Sequence, residues 1–347
     1  MITEIIKIDE KNLKNYGELK NLNKAAEIIK NGGLVVFPTE TVYGLGANAF
    51  DGTAVKKIYE VKGRPSDNPL IVHVANPGEI YKYAEVPEIA DKIIKRFLPA
   101  PLTLVLKKKG VELNATCSLD TVAIRSPQNN TAQKLIEFAG VPIAAPSANL
   151  SGKPSPTNAG HIIDDLNGKV DMIICGENCE IGLESTVISF NPDGSVNILR
   201  SGYITREMLS EFKICENPEK PVNIENPELP RSPGMKYTHY SPDAPLYIIS
   251  GSEEKIIEFI KKEMRDKKAG FLCFDEFLGY FGDNKNIISV GSRNNLEEQA
   301  KKLFGALNKF NTLDIDIIYS VKPERIKIGE AIYNRLIKAA GGKVIEL

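Results

Sequence analysis

The chain has 347 residues, of which 42% are hydrophobic and 26% charged, and a formal net charge of -1. That length predicts two domains, and the composition is that of an ordinary globular protein. The near-neutral total excludes a global polycation built for nucleic acid, while leaving room for a local basic cleft.

Asn23 to Lys30 has helical apolar spacing and stops at Asn31-Gly32-Gly33. Leu34 to Phe37 is a short apolar run ended by Pro38, which predicts a buried strand. Further elements alternate: helix Thr53 to Lys62, strand Leu70 to Val74, helix Ala90 to Phe97, strands Leu102 to Leu106 and Thr121 to Arg125. Helix Thr131 to Ala139 and strands Ile143 to Ala145, Met172 to Ile174, Ser185 to Phe190 and Val196 to Leu199 follow, the last two joined by an Asn-Pro-Asp-Gly turn. From about Asn217 to Pro245 the chain is dense in proline and lacks periodicity, as a linker is. The pattern then restarts: strand Leu246 to Ile249, helix Glu253 to Arg265, strands Gly270 to Phe274 and Ile287 to Val290, helix Leu296 to Phe310, strand Ile315 to Tyr319 and helix Ile328 to Ala340. That alternation predicts a small parallel α/β domain.

No apolar run is long enough to cross a bilayer, and Met1 to Lys7 lacks a signal-peptide pattern. A cytoplasmic protein with no membrane contact is expected. Five cysteines in a long chain argue against a disulfide framework. Cys175, Cys179 and Cys215 read as small thiols rather than a zinc site, so no protein-held metal is expected.

The run Lys62-Gly63-Arg64-Pro65-Ser66-Asp67-Asn68-Pro69 packs two cations and polar donors into a proline-stiffened loop. Phosphate oxygens need both charge and directed donors, so the run suits a phosphorylated ligand. Pro38-Thr39-Glu40-Thr41 follows a buried strand, where open α/β sheets place ligands, although turn chemistry would use the same residues. His73, read alone, is a satisfied core histidine. Ser147 and Asn149 are small donors that would also cap a helix. Arg125 closes an apolar strand and needs an anion, either a protein carboxylate or a ligand; no acid is close in sequence, which favours a ligand. Gly44-Leu45-Gly46-Ala47-Asn48-Ala49 fits a dinucleotide glycine pattern but lies too far beyond its strand, so its glycines are expected to serve close packing. Together the polar strand ends predict one cleft for a nucleotide phosphate and a small carboxylate.

Phe37-Pro38-Thr39-Glu40-Thr41-Val42-Tyr43-Gly44-Leu45, Lys62-Gly63-Arg64, Ser147-Ala148-Asn149 and Ser185-Thr186-Val187 resemble the YrdC-like threonylcarbamoyl-AMP synthases. Ser232-Pro233-Gly234-Met235-Lys236-Tyr237-Thr238-His239-Tyr240 and the second α/β domain resemble the long, two-domain form. A departure is Phe97 to Thr103, where the family more often has Trp then Gly. The resemblance implies a YrdC-like twisted open sheet with helices at 1–212, an ordered linker or lid over the cleft at 213–245, and a smaller Rossmann-like parallel α/β domain at 246–347. It implies that L-threonine, bicarbonate or CO2, and ATP give threonylcarbamoyl-adenylate and pyrophosphate, with Mg2+ carried on ATP. A Kae/TsaD-type transferase would then modify adenosine 37 of tRNA, and a direct tRNA contact is compatible with this. Carried over by motif, Lys62, Arg64, Asn68, Thr121, Ser147, Asn149, Arg200, Tyr237, His239 and Tyr240 contact ATP, with Lys62 and Arg64 catalytic. Thr41, His73, Arg125 and Ser185 contact threonine.

The rival is a double-stranded RNA or tRNA platform that makes no adenylate, with Lys62, Arg64 and Arg125 on backbone phosphates. Such a platform has no need of an amino-acid pocket. The related carbamoyl-transfer branch of hydrogenase maturation carries cysteine-rich zinc modules that this sequence lacks.

Overall fold

The computed structural model describes residues 1–215 and 240–347. They form two compact units: one of 1–151, 156–180 and 184–215, the other of 152–155, 181–183 and 240–347.

The first unit runs β1 (Glu4–Lys7), α1 (Tyr16–Lys30), β2 (Val35–Phe37), β3 (Gly44–Asn48), α2 (Gly52–Lys62), β4 (Val72–His73), α3 (Ile80–Tyr83) and α4 (Glu88–Phe97). It continues with β5 (Leu102–Lys107), β6 (Thr121–Arg125), α5 (Asn130–Ala139), β7 (Ile143–Ala144), α6 (Ala159–Leu166), β8 (Met172–Cys175), β9 (Thr186–Phe190) and β10 (Val196–Arg200). These strands make one mixed sheet in the order β1-β8-β2-β3-β7-β4-β6-β5-β9-β10.

Strand alternation sorts the core onto two faces. Val35 and Phe37 pack with Leu22, Ala26 and Ile29 of α1 and Leu135 and Ile136 of α5. Leu34 and Val36 pack the other way, with Val55 and Ile58 of α2, Ile93 and Ile94 of α4 and Ile162 of α6. Val122, Ile124, Leu104, Leu106 and Ile188 extend this second face. Their neighbours Ala123, Val105, Val187 and Ile71 form a separate small cluster.

The second unit runs β11 (Leu246–Ser250), α7 (Glu253–Asp266), β12 (Ala269–Cys273), β13 (Ile287–Ser289), α8 (Leu296–Phe310), β14 (Ile317–Val321), α9 (Gly329–Ala339) and β15 (Val344–Glu346). All four strand pairings are parallel, in the order β13-β12-β14-β11-β15. The expected parallel α/β domain is therefore present, with β15 as an added edge strand.

Differences from the sequence reading have local causes. α1 begins at Tyr16, not Asn23, because Asn15 caps it through the Gly17 amide and its first turns are exposed and polar. Gly44–Asn48 is a strand that the sequence reading did not list, and glycine is required at its centre. A Cβ on Gly46 would lie 2.8 Å from both Ile143 and Phe37, which accords with close packing and not a dinucleotide turn. Among the described residues no helix is long and apolar enough to cross a membrane, the five cysteines are free thiols, and no cluster of metal-ligating side chains occurs.

Candidate active site

Lys62 is the last residue of α2, which stops because Gly63 adopts a left-handed conformation at φ 59°. The Lys62 side chain is only 3% exposed. Its Nζ donates to the backbone carbonyls of Ser147 and Asn149, and the Ser151 amide donates back to the Lys62 carbonyl at 2.8 Å. Two motifs distant in sequence are thus tied together. Burial, then the nearby Arg64 charge, push the Lys62 amine well below its ordinary pKa, with Asp165 acting weakly the other way. Ser147 Oγ donates to Asn149 Oδ1 at 2.6 Å, and Asn149 Nδ2 to the Leu150 carbonyl at 2.8 Å. Arg64 reaches the carbonyls of Asn68 and Pro69. Asn68 is buried, and its side-chain oxygen has no hydrogen-bond partner.

Arg125 ends β6 in register with His73 of β4. Its Nη2 lies 2.6 Å from Glu40 Oε1, with both side chains about 5% exposed or less. Its Nη1 donates to Thr41 Oγ1 at 3.0 Å. Thr39 Oγ1 lies 2.6 Å from the Val42 carbonyl, which can only accept, and 2.8 Å from Thr41 Oγ1. Each hydroxyl has one proton, so Thr39 donates to Val42 and Thr41 donates to Thr39. Glu40 corrects one step of the sequence argument. Arg125 does have a protein carboxylate, delivered from a distant strand end, so the lack of a nearby acid in sequence was no ground for a ligand. His73 is buried; burial first, then the Arg125 charge, lower its pKa to about 3. The ring is neutral at working pH and sits 3.2 Å from the Ile71 carbonyl through Nδ1.

Ser185, just before β9, is the third focus. Arg200, ending β10, donates from Nε to the Ser185 carbonyl and from Nη2 to its Oγ, each at 3.1 Å. Ser185 Oγ also bonds Thr103 Oγ1 of β5 at 2.7 Å. Gly202 permits this, since a Cβ there would lie 2.4 Å from the Thr186 amide nitrogen.

Strand periodicity collects these residues. The small cluster Ile71, Val105, Ala123 and Val187 marks one sheet face. His73, Thr103, Thr121, Arg125 and Ser185 each stand two residues from a member of it, hence on that same face. Thr121 and Arg125 begin and end β6, about 13 Å apart along the strand. That span suits an extended two-part substrate.

Tyr240 is described in the second unit, where its ring packs against Phe304 at 5.1 Å under the Arg335 guanidinium. Tyr237, His239 and residues 216–239 of the expected lid lie outside the described residues. Thr103 was not singled out from sequence, and Thr39 and Glu40 stood out only as members of the polar run after β2, with no role of their own. The available signal for Thr103 was a polar residue inside an otherwise apolar strand.

Known proteins resemble this chain over nearly its whole length. The Sua5–YciO–YrdC family model, described as telomere recombination, matches residues 27–202. The model for the threonylcarbamoyl-AMP synthase C-terminal domain matches residues 204–341. The threonylcarbamoyl-AMP synthase of Bacillus subtilis is 46% identical over 326 residues, 93% of each chain. That of Pyrococcus abyssi is 41% identical, covering 97% of this chain and 98% of its own. The crystal structure of P. abyssi Sua5 complexed with L-threonine superposes with a TM-score of 0.87 at 41% identity, over 99% of this chain and 100% of that one. The chain belongs to the Sua5–YciO–YrdC family, in the form that carries the threonylcarbamoyl-AMP synthase C-terminal domain.

Proposed function

We propose that this chain is an L-threonylcarbamoyladenylate synthase, a nucleotidyltransferase that joins L-threonine, bicarbonate or CO2, and ATP into threonylcarbamoyl-AMP with release of pyrophosphate. One observation carries the reading beyond family membership. An arginine, a histidine and small hydroxyl residues from four separate segments share the sheet face marked by one apolar patch.

The threonine amine first becomes a carbamate, whose oxygen attacks the α-phosphorus of ATP as pyrophosphate departs. Such a transfer needs positioning and charge stabilisation rather than a covalent intermediate. Lys62 and Arg64 neutralise charge at the phosphate under attack. Asn68, Thr121, Ser147, Asn149 and Arg200 bind the nucleotide, with Tyr237, His239 and Tyr240 assigned to it by motif. Thr41, His73, Arg125 and Ser185 hold threonine, with Arg125 on its carboxylate. Mg2+ enters with the triphosphate. The domain assignment is 1–212 for catalysis and 246–347 for the smaller domain. A tRNA threonylcarbamoyl transferase of the Kae/TsaD type consumes the product in the cytoplasm.

The test is pyrophosphate release from ATP, Mg2+ and bicarbonate with single amino acids. Release that depends on L-threonine supports the reading; release indifferent to the amino acid removes it.

A further inference from the structure

Four polar atoms of one buried ion pair lack hydrogen-bond partners: Glu40 Oε1 and Oε2, and Arg125 Nε and Nη2. Nη2 and Oε1 are 2.6 Å apart, near enough for charge attraction but off the line a hydrogen bond needs. Nη1 is already engaged by Thr41. Buried carboxylate and guanidinium groups are costly unless their remaining lone pairs and protons are also satisfied. Beyond their mutual contact, the pair leaves Glu40 Oε2 as an acceptor and Arg125 Nε as a donor with nothing to bond. An α-amino-acid zwitterion carries the complementary set on one carbon: a carboxylate with two acceptors and an ammonium with three donors.

We propose that Glu40 is a specificity-determining residue that receives the α-ammonium of the amino-acid substrate while Arg125 receives its carboxylate, the zwitterion lying head to tail on the Glu40–Arg125 pair. This rests on the assignment of Arg125 to the substrate carboxylate. Arg125 is held for the task by Thr41, which the Thr39 hydroxyl fixes in turn. All four atoms are sealed from water, so the zwitterion reaches them by displacing a packed neighbour. Once there, it meets no solvent competition for those bonds. A hydroxy acid of the same shape would leave Glu40 Oε2 unpaired, and a site of this kind rejects it more strongly than an apolar pocket could.

The experiment is calorimetric binding to the full chain of three probes: L-threonine, 3-hydroxybutanoate, which lacks the amine, and L-threoninamide, which lacks the carboxylate charge. The wild-type chain is expected to prefer L-threonine over 3-hydroxybutanoate by about 100-fold or more. In Glu40→Gln that preference falls to about tenfold or less, while the preference over L-threoninamide persists. Glu40→Asp, which keeps the charge, retains the preference over 3-hydroxybutanoate. Equal wild-type binding of L-threonine and 3-hydroxybutanoate overturns the role of Glu40, and this arm needs no variant to fold. An undiminished preference in a folded Glu40→Gln does the same. Wild-type binding of L-threoninamide as tight as that of L-threonine overturns the Arg125 assignment instead.

Discussion

Arg200 grips Ser185 at two points, its main-chain carbonyl and its hydroxyl, with both contacts at 3.1 Å. The planar fork of a guanidinium makes this possible, and an ammonium cannot reproduce it. Because Arg200 is assigned to the nucleotide and Ser185 to threonine, the grip joins the two half-sites mechanically. Arg200→Lys is expected to raise KM for both substrates by about tenfold, the loss of one or two charge-assisted bonds. Steady-state pyrophosphate assays with each substrate varied in turn check this. An effect on ATP alone would mean that the grip does not transmit to threonine.

Glu40 and Arg125 compensate each other in the core, with side chains 5% and 4% exposed. Removing one partner strands the other charge. Arg125→Gln is expected to cost about 3–5 kcal/mol of stability, and to lower threonine-dependent turnover by about 100-fold or more. The double variant Glu40→Gln with Arg125→Gln is expected to recover most of the stability and none of the turnover. Urea unfolding of the single and double variants tests the coupling; additive losses would show that the pair does not act as a unit.

Burial and the charge on Arg64 hold the Lys62 amine well below the ordinary lysine value. An incoming phosphate favours the charged form, so ATP binding is expected to take up a proton at pH values between that depressed pKa and the one reached in the complex. Affinity for ATP then declines as pH rises through this window. Calorimetry in two buffers of different ionisation heat measures the uptake directly. Lys62→Arg, charged at every pH used, is expected to abolish it; equal uptake in wild type and variant would assign the proton elsewhere.

His73 is held neutral, with its pKa lowered to about 3 by burial and then by Arg125. The unfolded chain protonates this histidine near 6.5. As pH falls below 6.5 the unfolded state binds a proton that the folded state refuses, so stability is lost progressively towards pH 3. Above 6.5 the penalty vanishes. His73→Gln is expected to flatten the decline in urea midpoint between pH 6.5 and 4, and an unchanged slope would place the acid sensitivity in other groups.

Gly202 lies where a Cβ would sit 2.4 Å from the Thr186 nitrogen and 2.8 Å from the Glu184 carbonyl oxygen. Main chain cannot yield as a side chain does. Gly202→Ala is expected to cost about 1–3 kcal/mol and to weaken threonine binding by displacing Ser185. Thermal melts and threonine titration test both; a stable variant with normal binding would show that the loop has slack.

Much of this was legible in the chain because fully buried strands write themselves as apolar runs: Leu34 to Phe37, Leu102 to Leu106 and Thr121 to Ile124 stand where expected. Gly44–Asn48 was hidden because its glycines serve packing against Phe37 and Ile143, which only the fold reveals. The polar positions Thr41, Lys62, Arg125 and Ser147 were readable as unusual residues at strand and helix ends, while Ser185 stood out only through the family resemblance. Their partners were not. Glu40 reaches Arg125, and Thr103 reaches Ser185, across sheet connections that leave no local spacing to detect.

Lys62 is seated on the main-chain oxygens of residues 147 and 149, not on their side chains. Substituting either of these side chains therefore removes no acceptor of the Lys62 cation. The seat of the cation thus depends on the path of the main chain there, and the identity of the two residues can drift without disturbing it.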